Sequence, residues 1–217
     1  SSKHMRTLLL LLSLACYCHA ASFANTFLFR AAARNTNSSA LTPFYEFYSD
    51  VGVLNGSGSP ASDGETVGTL QDQSGNGRHL TQGTDANRPV YTSTGALNGH
   101  NPIAFDGIDD ILSVSHSSVT APFTRFVVFR LFSDVSGQAI FGSEAFLLII
   151  TSSGVRFRAD RGTALNGSTV FTNANIIATC VFNGASGKFR VNGVEEASGN
   201  VGANTITQLL LGGIAAG

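Results

Sequence analysis

Residues Pro102–Val114 read PIAFDGIDDILSV, two short apolar runs held apart by an Asp-Gly reversal and a pair of carboxylates. Gly107 tolerates the positive φ that a tight turn needs, since it has no Cβ to clash. Ile103, Phe105, Ile108, Ile111 and Val114 supply large apolar groups on both sides. A chain that reverses here is committed to short elements, and the stretch predicts the central hairpin of a β-sandwich.

The same grammar runs through the rest of the chain. Upstream, FYEFYSD at 44–50 alternates as a first strand should, and QDQSGNGRHL at 71–80 packs turn-forming Ser, Asn and Gly into a tight loop. Downstream, FTRFVVFRLF at 123–132 is β-branched and aromatic, and long enough for a central strand. Arg125 and Arg130 stand an odd number of positions apart within it, so they are expected on opposite faces. QAIFG, AFLLIIT and GVRFRAD read as a meander. IIATCVFN and GKFRVN follow, and Asn192-Gly193 after them is a strong hairpin signal. TITQLLLGG predicts a last strand. With 24 Gly and only 12% charged residues in 217, the composition suits one all-β domain of short strands around one core. No fixed-period repeat suggests a propeller or solenoid, and an antiparallel two-sheet sandwich is the expected architecture.

The first residues follow a different logic. Met5-Arg6-Thr7, the apolar run to Ala15 and the small-residue exit Cys18-His19-Ala20-Ala21 have the layout of a secretory signal peptide, with cleavage expected after Ala20. This divides the chain into a leader at 1–20, a linker or lead-in at 21–42, and a sandwich at 43–217. The alternative is a lipoprotein signal using Cys16. The apolar run is too short to span a bilayer, so no stable membrane span and a secreted or cell-envelope location are expected. Loss of the leader removes two of the 13 basic residues and none of the 14 acidic ones. The scattered cations that remain do not predict a nucleic-acid partner. Cys180 is then left alone in an apolar run, which offers neither a disulfide framework nor a zinc site.

Asp72, Ser74, Gly75, Asn76, Gly77 and His79, followed by Ala104, Phe105, Asp106, Gly107, Asp109 and Asp110, resemble two turn motifs of laminin-G-like, concanavalin A-like lectin/glucanase domains. The resemblance runs from Phe44 to the last residue. It implies a jelly-roll sandwich with Ca²⁺ at a sheet rim. It also implies a further hairpin and closing strand after Gly217, so a C-terminal truncation that leaves a bare sheet edge is expected.

Asp106, Asp109 and Asp110 are the candidate metal ligands, because clustered carboxylates near carbonyls suit calcium. The competing reading is structural: Asp106 opens the turn, and adjacent Asp109 and Asp110 face opposite ways in extended chain. Asp72, Asn76, His79 and Tyr91 are the candidate ligand-binding residues, His79 having the competing role of a loop hydrogen-bonding group. Catalysis is poorly provided for. Glu195-Glu196 are adjacent, Glu46 and Asp50 would stand roughly 13 Å apart in a strand, and no paired-carboxylate strand of the glycosidase kind exists. Trp is absent, which weakens a sugar-stacking platform. The expected function is a non-catalytic extracellular recognition or adhesion module for a glycan or protein partner, assisted by calcium. A carbohydrate-active enzyme or its accessory domain, and a virion or envelope structural protein, are the alternatives.

Overall fold

The computed structural model describes residues 25–28, 43–131, 139–143, 146–150, 156–170 and 175–213. The expected leader, its cleavage point and residues 29–42 lie outside them. Sixteen strands are described: β1 Asn25–Leu28, β2 Val53–Asn55, β3 Val67–Leu70, β4 Leu80–Thr81, β5 Val90–Tyr91, β6 Ile103–Phe105, β7 Ile111–Val119 and β8 Phe123–Leu131. The second half contributes β9 Ala139–Gly142, β10 Phe146–Ile150, β11 Arg156–Asp160, β12 Ala164–Asn166, β13 Asn175–Phe182, β14 Gly187–Val191, β15 Val194–Gly199 and β16 Ile206–Gly212. No helix among the described residues is long and apolar enough to cross a membrane.

The strands form two antiparallel sheets, ordered β15-β14-β13-β8-β1-β6-β5 and β12-β11-β10-β9-β16-β7-β4-β3-β2. Their facing sides share one core. Phe129 of β8 meets Phe157 of β11 edge-on at 5.3 Å, and Phe182 of β13 meets Phe141 of β9 at 6.4 Å. These contacts give the protein the character of a β-sandwich. The predicted strand β13 alternates buried and outward residues without a break, as a half-buried strand does. Cys180 lies on its inner face as a free, buried thiol whose pKa burial pushes up. At Asn192-Gly193 both residues take positive φ, 50° and 84°, and β14 pairs with β15 across them. The expected meander is present as β9, β10 and β11.

Three expectations are corrected. The reversal at Asp106-Gly107 is not a hairpin: β6 pairs with β1 and β5, whereas β7 pairs with β16 and β4 in the other sheet. It is an arch that carries the chain between sheets, with Phe105 and Leu112 both in the core and Ile108 left 54% exposed at its tip. Residues 44–50 are not a first strand. Their polar groups go elsewhere, as when Glu46 N–H donates to Asp72 and the Glu46 carbonyl accepts from Gln73 N–H, leaving one isolated bridge from Tyr48 to Val51. The lead-in supplies β1, which pairs on both sides with β6 and β8. The last described strand, β16, lies between β7 and β9.

Register gives the sandwich two distinct ends. Asn25 pairs with both Phe105 and Leu131, and Gly212 pairs with Ile111, so the Asp106–Asp110 arch sits at this first end. At the second end Val119 pairs with Ile206, Phe146 with Asp160, and Phe123 with Phe182. The Gln71–His79 loop joins β3 to β4, and Thr81 pairs with Ser113, which directs that loop toward the second end. There Phe44 packs edge-on against His116 at 5.0 Å and under the Arg78 guanidinium at 3.7 Å.

Candidate functional site

The arch at the first end is built by one carboxylate. Asp106 Oδ1 accepts from the N–H groups of Ile108, Asp109 and Asp110 at 2.8, 3.2 and 3.3 Å, and Gly107 takes φ 76° beneath it. A short side chain that bonds the backbone ahead of it folds the chain back on itself. Because Asp109 and Asp110 lie in this turn and not in extended chain, they do not diverge as expected. One ligand oxygen from each of Asp106, Asp109 and Asp110 lies within 4.8 Å of the others.

The Asp110 side chain completes the turn by accepting from Asp106 N–H through Oδ2 at 2.7 Å. Asp106 Oδ2, Asp110 Oδ1 and the Asp109 carboxylate accept no hydrogen bond among the described residues. The competing structural role and the metal-ligating role are therefore not exclusive: each is served by different oxygens of the same groups. Three carboxylates with free oxygens suit a hard cation that takes six to eight oxygen ligands.

Burial pushes the Asp110 pKa up to about 7, opposed by the Asp106 N–H and reinforced by the charges of Asp106 and Asp109. The native chain then holds a proton between pH 4 and pH 7 that the unfolded chain has released, so stability falls as pH rises through that window. The full shift corresponds to about 4 kcal/mol, and solvent screening at the sandwich end roughly halves it. Asp110→Asn keeps the acceptor for Asp106 N–H without the charge. It is expected to be more stable than the parent by about 2 kcal/mol at pH 8 and nearly equal at pH 4, as read by urea unfolding.

The second cluster is a framework. Asp72 is 7% exposed, and its carboxylate accepts from Glu46 N–H, Ser74 N–H, Ser74 Oγ and Arg78 N–H at 2.8–3.0 Å. His79 Nδ1 accepts from Asp72 N–H at 3.0 Å, as its loop-bonding role requires. Asn76 Nδ2 donates to the carbonyls of Pro43 and Phe44. Tyr91 belongs to another network, its hydroxyl accepting from Asn101 Nδ2 at 3.1 Å. The structure thus unites Asp72, Asn76 and His79, unites the three arch aspartates, and sets these two groups at opposite ends of β7, roughly 13 Å or more apart.

Sequence reasoning missed Arg125 and Arg161 as interior residues. Arg125 is 4% exposed, in alternation with Val127 and Phe129, whereas Phe126 faces outward at 42%. The odd spacing of Arg125 and Arg130 held the clue that one of them had to face in. No protein-family model, curated protein or solved structure matches the chain.

Proposed function

We propose that the chain is a non-catalytic extracellular recognition module of the laminin-G-like, concanavalin A-like jelly-roll kind, which holds Ca²⁺ at the Asp106–Asp110 arch and meets a glycan or protein partner there. The observation that carries this reading is the set of carboxylate oxygens on Asp106, Asp109 and Asp110 that the turn leaves free. Three carboxylates underfill a calcium shell, and the remaining positions suit ligand hydroxyls or carbonyls. Ile108, exposed beside them, adds an apolar contact. The Gln71–His79 loop serves this reading as the rigid closure of the opposite end. In support of a non-catalytic role, Glu195 is tied to Lys188 and Arg190, and Glu196 to Ser168 and Thr169, at their own surface site.

Calcium binding needs the Asp110 carboxylate ionised, so affinity is expected to rise between pH 6 and pH 8. The test is thermal unfolding at pH 8 with calcium or with chelator. A calcium-dependent rise of several degrees that vanishes in Asp109→Ala and Asp110→Ala supports the reading. An identical melting temperature in both conditions overturns it, as does release of sugar or unsaturated product from a polysaccharide panel.

A further inference from the structure

The second end of the sandwich contains a charge problem that the described residues do not solve. Arg161 follows β11 directly and is 1% exposed, among the largest fully buried side chains. Its backbone is fixed on both sides, its N–H donating to the Val201 carbonyl and its carbonyl accepting from Asn204 N–H. The guanidinium lies 5.2 Å from the centre of the Phe123 ring. Its Nε and Nη1 are buried and meet no hydrogen-bond acceptor. The neighbouring carboxylate of Asp160 is taken by Arg158 and by Gly162 N–H, and no ion pair among the described residues involves Arg161.

Arg125 brings a second guanidinium near the same ring, 5.7 Å from Phe123 and 5.0 Å from Phe141. Its Nε donates to the Tyr45 hydroxyl at 2.8 Å, which leaves the Tyr45 proton for another acceptor. Burial, and then the charge on Arg125, hold Arg161 below the ordinary arginine range. A buried cation with unsatisfied N–H groups is expensive, and a like charge beside it adds repulsion. Ring faces offset part of this through cation–π attraction, but they accept no hydrogen bonds.

We infer that Arg161 forms an oxyanion-binding site inside the second end of the sandwich, which takes the carboxylate or sulfate group of an acidic ligand. Both groups present oxygens in the arrangement that a planar guanidinium fork matches, and either one would meet the Nε and Nη1 of Arg161 and neutralise its charge. Phe123, half-buried at the start of β8, covers the guanidinium and would flank the ligand's acid group. The inference is independent of the calcium reading: the arch lies at the opposite end, and either site can fail alone.

The test uses the whole 217-residue chain in thermal unfolding, with sodium chloride, sulfate, acetate and glucuronate at matched ionic strength. Sulfate stabilises proteins generally, so the readout is the rise relative to variants in the same salt. A saturating oxyanion is expected to raise the parent melting temperature by roughly 5 °C more than it raises Arg161→Leu. Arg161→Lys keeps the charge but loses the fork, and is expected to need about tenfold more anion. It also decides the matter if the leucine variant does not fold. Lys188→Ala, at an exposed cation, should respond as the parent does. A response to sulfate alone, or to acetate and glucuronate alone, supports the site and names the acid group. Equal responses in the parent and both Arg161 variants overturn it, as does loss of the response in Lys188→Ala.

Discussion

Gly212→Ala is expected to destabilise the protein by about 4 kcal/mol and, on the proposed calcium reading of the arch, to abolish any calcium-dependent rise in melting temperature. Gly212 ends β16 opposite Ile111 with φ 73°, a left-handed conformation that alone costs an alanine roughly 1–2 kcal/mol. The larger part is steric. A Cβ there would stand 2.5 Å from the Asp110 carbonyl oxygen and closer still to Phe105 Cδ1. Neither neighbour can yield cheaply, because Phe105 is 1% exposed in the core and Asp110 is bonded into the arch through its N–H and its carboxylate. Gly142→Ala is the matched control, since its Cβ would meet Ala139 and Leu210 at an ordinary 3.6 Å. That variant should stay within about 1 kcal/mol of the parent in urea unfolding, with the parent's response to calcium unchanged on the proposed reading.

Asp72→Ala should cost about 3 kcal/mol, because it leaves the N–H groups of Glu46, Ser74 and Arg78 without their buried acceptor. Burial raises the Asp72 pKa, but the hydrogen bonds from Glu46, Ser74 and Arg78 outweigh it and leave the group below the usual carboxylate range. A depressed native pKa contributes stability that is present above the unfolded value and is lost as pH falls through the folded one. Asp72 therefore defends the fold on the acid side, whereas Asp110 weakens it as pH rises toward 7. Urea unfolding from pH 3 to pH 8 separates the two: Asp72→Ala should flatten the acid limb, and Asp110→Asn the limb between pH 4 and 7. An Asp72→Ala protein of parental stability would show that the loop bonds contribute little.

The chain's own sequence determined what short-range chemistry can determine. Asn192-Gly193 dictates its reversal because two adjacent residues there tolerate positive φ, and Asp72 and Asp106 dictate their loops because a carboxylate reaches N–H groups two to six residues ahead. The alternation of β13 likewise says which side chains turn inward. Periodicity names a face but not a neighbour, and the neighbours came only with the tertiary structure. It decided that Phe105 and Ile111 belong to different sheets, that Asn25–Leu28 enters between β6 and β8, and that β16 lies between β7 and β9. It also decided that Asp109 and Asp110 converge, and that Arg125 and Arg161, 36 positions apart, meet at one phenylalanine ring. The physical reason is the same in each case. A turn is satisfied by groups its own residues carry, whereas a strand's backbone and a buried charge are satisfied by whatever distant segment the packing of the two sheets brings beside them.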